Sequence, residues 1–309
     1  MNNRTCQHQI QCQSPAGSHT MMVREWGAGR AAPVVICVHG LTRNSSDFQP
    51  LAQALASDGM RVLAPDIVGR GDSDWLSDAQ YYRIDQYCQD VLAMVRQLQL
   101  GPVYWVGTSM GGLIAMTILG AFFKDLAKQG CSIEKLVLND VGAEIPHSAL
   151  SRIADYVGDA MESSSREEAC ASMRARMVSF GTHTDEQWRL LTEPAVRQRS
   201  DGKWTVNYDL KIAEPFKALF ALSDARGAAN AVNTPAAPMA LWPLYEAITC
   251  PTLILRGEQS DLLPTEVAVA MTQRGPKAKL IEIPGAGHAP SLVPPEQVDI
   301  VRRFLGDVS

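Results

Sequence analysis

The sequence is poor in the features that mark nucleic-acid-binding and secreted proteins. Its 28 lysines and arginines are outnumbered by 33 aspartates and glutamates, which gives a net charge of −5. Nucleic-acid binding depends on clustered positive charge, so we expect no nucleic-acid partner. The N-terminal segment is polar and lacks the apolar stretch of a secretory signal peptide. These absences favour a cytoplasmic protein.

The seven cysteines follow no pairing or ligand pattern. Their number is odd, no CxxC motif occurs, and several lie within apolar runs. Buried free thiols in a reducing compartment fit this usage better than disulfides. The phosphate-binding loop G-x-x-x-x-G-K-[ST] and the zinc motif HExxH are also absent. We therefore expect no metal and no cofactor.

An uncharged stretch of 27 residues, from Gln97 to Phe123, is long enough to be taken for a membrane span. Five glycines and Pro102 interrupt it. It divides better into a short strand, a tight turn and a buried helix, so we expect no membrane partner.

Short apolar runs alternate with amphipathic segments in both end regions of the chain. We predict strands at 33–38, 61–64, 103–106, 135–138, 252–255 and 280–283, and helices at 46–57, 85–99, 110–128 and 297–305. Continuous β-branched runs suit strands that are buried on both faces. The alternation predicts an α/β fold with a mainly parallel sheet.

The alternation stops in the middle of the chain. Helices are predicted at 149–161, 165–179 and 185–198, with no strands between them, and an Ala/Pro-rich connector follows at 227–245. An unstructured loop of that length is rare. We predict a core domain formed by residues 1–143 and 246–309, interrupted by a helical cap, or lid, at 144–245.

The segment Gly107-Thr108-Ser109-Met110-Gly111 contains the pattern G-x-S-x-G. An apolar strand precedes it and a glycine-opened apolar helix follows, which is the strand–turn–helix setting of a nucleophilic serine. Gly107 and Gly111 are expected to leave room for the strained turn at Ser109. Ser109 is the predicted nucleophile.

A serine nucleophile needs a base and an acid that orients it. His288 is the candidate base, because it lies in a glycine-rich loop just after a late predicted strand. Asp261 is the favoured acid, since it follows the strand at 252–255. Asp140, which follows the strand at 135–138, is the alternative, and Glu258 is a weaker one.

Two backbone N–H groups are expected to form the oxyanion hole. One belongs to Met110, the residue after the nucleophile, and the other to Leu41, in the loop after the first predicted buried strand. Gly40 would allow close approach of that loop. We expect His39 to shape the loop through hydrogen bonds rather than to take part in proton transfer.

These motifs together resemble the α/β-hydrolase superfamily. The segments that carry the resemblance are HGL at 39–41, DIVGRGDS at 66–73, GTSMGG at 107–112, GEQSD at 257–261 and GAGH at 285–288. The resemblance implies an α/β-hydrolase fold, a serine nucleophile and a cap at the position of the insertion. The serine at the turn is unlike the aspartate of epoxide hydrolases and haloalkane dehalogenases.

The leading interpretation is a serine hydrolase that cleaves an ester or related acyl bond of a small soluble substrate through an acyl-enzyme. A carbon–carbon hydrolase of vinylogous diketones, which the GTSMGG turn also resembles, or a perhydrolase would use the same triad. A non-catalytic ligand receptor on this fold has no physical need for all three triad residues. The sequence indicates no oligomeric state.

Overall fold

The fold is organised around an eight-stranded sheet. The computed structural model describes residues 5–29, 33–218 and 238–306. Its strands are β1 (Thr5–Ser14), β2 (Gly17–Trp26), β3 (Val34–Val38), β4 (Arg61–Pro65), β5 (Val103–Thr108), β6 (Ile133–Asn139), β11 (Thr252–Gly257) and β12 (Lys279–Ile283). Their order across the sheet is β1-β2-β4-β3-β5-β6-β11-β12.

The strands from β4 to β12 in this order run parallel to one another, whereas the β1–β2 hairpin joins β4 in antiparallel orientation. Parallel strands align their carboxyl ends at one edge of the sheet, which is where α/β folds bind ligands. The loops after β3, β5, β6 and β12 carry residues 39–41, 109, 140 and 288, so the topology gathers the predicted site at that edge.

Alternate residues of the central strands supply two separate hydrophobic cores. In β3, Val35 and Cys37 belong to one core, and Ile36 and Val38 belong to the other. Successive side chains of a strand point to opposite faces, so each core lies on its own side of the sheet. The continuous apolar run at 34–38 is therefore explained by burial on both faces.

The helices confirm most of the predicted alternation. They are α1 (Gln49–Ser57), α2 (Ile84–Gln97), α3 (Met110–Ala121), α4 (Phe123–Lys128), α5 (His147–Tyr156), α6 (Arg166–Arg176), α7 (Asp185–Thr192), α8 (Trp242–Glu246), α9 (Thr265–Met271) and α10 (Pro295–Gly306). The uncharged stretch forms β5 and α3 as predicted. The predicted helix at 110–128 is interrupted at Phe122. Among the described helices, none has the length and apolar character needed to cross a bilayer.

The insertion between β6 and β11 is not purely helical, and that expectation was wrong. Short strands β7 (Glu144–Ile145) and β10 (Met239–Ala240) pair with each other, and β8 (Val196–Gln198) pairs with β9 (Trp204–Val206). The predicted helix at 185–198 ends at Thr192 because Pro194 lacks the N–H that continues a helix.

The β7–β10 pair also brings the two ends of the insertion together, which lets it leave the sheet and return at one place. The division into a core and a cap stays a prediction. The part of the predicted connector at 227–237 lies outside the described residues.

Candidate active site

Ser109 occupies a strained turn between β5 and α3. Its backbone has φ 50° and ψ −112°, a region that non-glycine residues rarely adopt. A Cβ atom on Gly107 would lie 2.5 Å from the backbone of Gly111, and one on Gly111 would lie 2.0 Å from the carbonyl oxygen of Val38. Both glycines are therefore required for the chain to pass this turn, and the turn places the Ser109 hydroxyl at the carboxyl edge of the sheet.

His288 lies between Ser109 and a buried aspartate. Its Nε2 is 3.0 Å from the Oγ of Ser109, and its Nδ1 is 2.7 Å from the Oδ2 of Asp140. The carboxylate can only accept, so Nδ1 donates to Asp140 and Nε2 is free to accept the serine proton. These contacts have the geometry that activates a serine hydroxyl.

The acid that contacts His288 is Asp140, which was the alternative, and not Asp261, which was favoured. Asp140 is fully buried, and its carboxylate also accepts hydrogen bonds from the backbone of Gly257 at 2.8 Å and from Ser260 Oγ at 2.7 Å. The side chain of Asp261 is 47% exposed and pairs with Arg152 of α5 at 2.5 Å.

The turn after β11 explains this exchange. β6 and β11 are neighbours in the sheet, so the loops after both strands reach the same place. The β11 loop directs Ser260 inward to Asp140, and the next residue, Asp261, faces outward. The sequence signal for Asp140 was its position directly after the strand beside β5. The spacing between Asp261 and His288, on which the preference for Asp261 was based, does not contain that information.

The loop after β3 lies directly beside the nucleophile. A Cβ atom on Gly40 would be 3.8 Å from the Cβ of Ser109. In the ranges that the structure describes, the N–H groups of Leu41 and Met110 donate to no protein acceptor. Both amides are therefore available to an oxyanion.

His39 fixes the conformation of this loop. Its Nδ1 donates to the carbonyl oxygen of Gly40 at 2.8 Å, and its Nε2 accepts from the backbone N–H of Ile67 at 3.0 Å. Burial lowers the pKa of His39 to about 4, because desolvation disfavours the imidazolium. The ring is therefore neutral near pH 7, and neither of its hydrogen bonds goes to Ser109 or His288.

Arg70 was missed by the sequence analysis. The side chain is fully buried and its Nε donates to the carbonyl oxygen of Leu41 at 2.8 Å. The signal was present in the GRGDS segment, where an arginine stands between two glycines that both adopt positive φ.

A cavity of about 100 Å³ opens above Ser109 and His288. The loop after β3 forms one side of it. The insertion supplies much of the rest, including Ile153 and Tyr156 of α5, Met173 and Arg176 of α6, and Tyr208. A site enclosed in this way restricts the water around the reacting groups.

Ser179, also in the insertion, supports the loop that carries the histidine. Its carbonyl oxygen accepts from the backbone N–H of Gly287 at 2.6 Å, and its Oγ donates to the carbonyl oxygen of His288 at 2.9 Å. The position of the candidate base thus depends on the insertion as well as on the sheet.

Two groups of side chains elsewhere have donor atoms close enough to hold a metal ion. They are Cys6, His8 and Glu25, and Cys12, His19 and Asp90. Pairing of β1 with β2 assembles all of these residues except Asp90, which lies in α2. In each group the histidine contacts the carboxylate, and no member lines the cavity above Ser109.

The chain belongs to the α/β hydrolase fold family, whose profile matches residues 33–295. It is an α/β-fold hydrolase. The 3-hydroxybutyrate-oligomer hydrolase of Cupriavidus necator is 41% identical to it over 299 residues, which cover 96% of each chain.

Two further relatives cover nearly all of the chain. The 2-(acetamidomethylene)succinate hydrolase of Mesorhizobium japonicum is 28% identical, over 94% of this chain and 92% of its own. Among solved structures, an α/β hydrolase from Novosphingobium aromaticivorans superposes with a TM-score of 0.81 at 33% identity, covering 100% of both chains.

Proposed function

We propose that this hydrolase cleaves carboxylic esters through a triad of Ser109, His288 and Asp140, and that its substrates are short oligoesters of hydroxy acids. The observation that carries the reaction is the chain of hydrogen bonds from Ser109 through His288 to Asp140. The likeness to the oligomer hydrolase of Cupriavidus necator across almost the whole chain supports the substrate class.

The proposed reaction begins with Ser109. Its Oγ attacks the ester carbonyl carbon while His288 Nε2 takes the hydroxyl proton, and Asp140 stabilises the imidazolium that forms. The N–H groups of Leu41 and Met110 stabilise the negative oxygen of the tetrahedral intermediate. The carbon–oxygen bond to the alcohol breaks, and His288 returns the proton to the leaving oxygen. Water, activated by the same histidine, then hydrolyses the acyl-serine.

The charge of the cavity supports a substrate with a free carboxylate. Three arginines line it, and two of them are paired with a carboxylate: Arg43 with Asp47, and Arg152 with Asp261. Arg176 forms no ion pair with a carboxylate within the described ranges of the chain. An unneutralised guanidinium favours an anionic ligand, and a linear oligomer of a hydroxy acid carries one carboxylate at its end.

The apolar part of the cavity fits the rest of such a substrate. Ile153, Met173, Met177 and Val206 contribute much of its lining. Methyl-bearing ester units can contact these side chains while the polar groups meet Ser109 and Arg176. The predicted cap of residues 144–245 would then decide substrate size.

Labelling of the serine tests the nucleophile. A fluorophosphonate should modify Ser109, as identified by peptide mass spectrometry, and Ser109→Ala should lower kcat by a factor on the order of 10⁶, as in other serine triads. Ser260, also within the triad network, is the internal control and should stay unlabelled. An active alanine variant, or stoichiometric labelling elsewhere, would show that another group attacks.

The assay should offer both kinds of bond that the triad could break. We expect hydrolysis of 3-hydroxybutyrate dimer and trimer and no turnover of a vinylogous diketone. Turnover of the diketone alone would show that the protein is a carbon–carbon hydrolase that uses the same residues, and not an ester hydrolase.

A further inference from the structure

The guanidinium of Arg70 touches both residues whose amides are proposed to bind the oxyanion. Nε donates to the carbonyl oxygen of Leu41 at 2.8 Å, and Nη2 lies 3.8 Å from the Sδ of Met110. Nη1 donates to the carbonyl oxygen of Val68 at 2.8 Å and to the hydroxyl of Tyr87 at 2.9 Å. One side chain thus joins the two walls of the oxyanion hole.

The charge of Arg70 is buried without an opposite charge bonded to it. The side chain is fully buried, and no carboxylate of the described residues forms an ion pair with it. Its neighbours are instead carbonyl oxygens, a hydroxyl and the rings of Tyr87 and Tyr82, whose centroids lie 4.8 and 5.8 Å from Cζ. Burial of an unpaired charge is costly, and a methionine would fill similar space without that cost. A costly group beside a catalytic site is a sign of function.

The backbone around Arg70 is held at several points, so the guanidinium has little freedom to move. Gly69 accepts from the N–H of Asp209 at 2.8 Å, and Gly71 donates to the carbonyl oxygen of Asn207 at 3.1 Å. The carboxylate of Asp66 accepts from the N–H of Asp72 at 2.9 Å. A charge fixed before the reaction stabilises a transition state without reorganisation during it.

We propose that Arg70 is a positioning residue of the oxyanion hole, which holds the Leu41 loop against Ser109 and biases the site toward the negative tetrahedral intermediate. This inference rests on the proposed function, because it needs an oxyanion at the Leu41 and Met110 amides. The ester substrate is neutral at its carbonyl, and only the intermediate gains from the nearby positive charge. Loss of Arg70 should therefore weaken binding of the intermediate more than binding of the substrate.

Three variants separate the charge from the hydrogen bond. Arg70→Met removes both, Arg70→Gln keeps a donor without the charge, and Arg70→Lys keeps the charge. Each is compared by kcat and KM on p-nitrophenyl butyrate, by Kd for butylboronic acid, which forms a tetrahedral anion on the serine, and by thermal unfolding. Arg61→Met is the matched control, because Arg61 is a partly buried arginine that pairs with Glu25 on the β1–β2 hairpin.

We expect Arg70→Met to lower kcat and to weaken boronate binding by about 10²-fold each, the scale of losing one oxyanion donor, with KM changed less than about threefold. Arg70→Lys should recover part of both, and Arg70→Gln less. Arg61→Met should lower the unfolding temperature while leaving boronate affinity and kcat unchanged. If Arg70 had only a structural role, Arg70→Met would behave in the same way.

If all folded Arg70 variants bind the boronate as the wild type does, the inference is wrong and the proposed function stands. If the wild type itself neither binds the boronate nor hydrolyses the ester, the proposed function fails with it. Should Arg70→Met not fold, the comparison of Arg70→Lys with Arg70→Gln decides the question by the same measurements.

Discussion

The carboxylate of Asp140 accepts three hydrogen bonds, from Gly257, Ser260 and His288. Its backbone, with φ 55°, lies in the left-handed region, which a non-glycine residue adopts only when its surroundings fix it. The side chain is thereby held in one position, and through it the imidazole of His288 is held in one tautomer and one orientation.

Replacement of Asp140 by asparagine should cost about 10⁴ in kcat, because the amide stabilises the wrong imidazole tautomer and no longer balances the imidazolium. Asp261→Asn is the matched control: it breaks an exposed ion pair, a kind of interaction that contributes little to stability, and should leave kcat within a few-fold of the wild type. Kinetics of both variants on one ester decide the assignment. A severe loss in Asp261→Asn with a mild one in Asp140→Asn would return the role to Asp261.

His39 should make the protein less stable in acid. Its pKa is about 4 when folded and about 6.5 when unfolded, so between these values the unfolded chain binds the extra proton. His39 therefore leaves the free energy of unfolding unchanged above pH 6.5 and lowers it as the pH falls toward 4, by about 3 kcal/mol in all. Urea unfolding at pH 7 and pH 5 measures the part of the loss that falls between these values, about 2 kcal/mol.

His39→Gln is the control for this effect, because glutamine offers a donor and an acceptor but does not titrate there. The difference in unfolding free energy between pH 7 and pH 5 should be smaller in the variant. Equal differences in the two proteins would show that His39 does not carry the acid sensitivity.

At the residue level, the sequence predicted those positions whose type is dictated by local backbone chemistry. Gly107, Ser109 and Gly111 follow from a turn that admits no other spacing, and His288 from its loop after a late strand. The choice between Asp140 and Asp261 depends on which way a turn faces in three dimensions, and Arg70 on packing between loops that are distant in sequence. The local pattern marks both residues, Asp140 by its place directly after a strand and Arg70 by its two flanking glycines, but it does not encode how the turn faces or how the loops pack.

Among the secondary-structure elements, α6 carries the charge that is proposed to select substrates. Arg176 is its last residue and lines the cavity, while Arg174 on the same helix pairs with Asp185 and lies against the ring of Trp188. Both arginines are exposed residues of one helix, but only Arg176 lines the cavity and only Arg174 is paired with a carboxylate of the described residues.

Arg176→Ala should raise KM for the free acid of 3-hydroxybutyrate dimer by about 10- to 100-fold, the value of a charged hydrogen bond, and should leave KM for its methyl ester unchanged. Arg174→Ala is the matched control and should alter neither KM. Steady-state kinetics on the acid and the methyl ester supply the comparison. If wild type and Arg176→Ala show the same preference for the acid over its ester, Arg176 does not bind the carboxylate.

For the elements, short apolar runs predicted the central sheet strands well, because strands such as β3 and β11 are buried on both faces. It failed in the insertion, where Val196–Gln198 and Trp204–Val206 are strands of only 3 residues each. Pairs this short are stabilised by neighbours rather than by their own pattern, so the sequence could not distinguish them from a helix end.

In the molecule as a whole, the covered cavity should favour short substrates. A site of about 100 Å³ beneath the insertion accommodates a butyrate ester better than a palmitate ester. We expect a higher kcat/KM on p-nitrophenyl butyrate than on the palmitate ester, and no rise in rate when a substrate passes its solubility limit. Preferential cleavage of emulsified long-chain triglyceride, with such a rise, would identify a lipase.

The hydrogen bonds between Ser179 and the histidine loop bear on protein engineering. Exchange of lids between related enzymes is a common way to alter which substrates fit. Here the insertion supports the backbone of Gly287 and His288, so a transplanted lid that shapes a new pocket would also need to replace that support. A chimera without it should bind its new substrate and turn it over slowly, and restoring a serine at the position of Ser179 is the first repair to attempt.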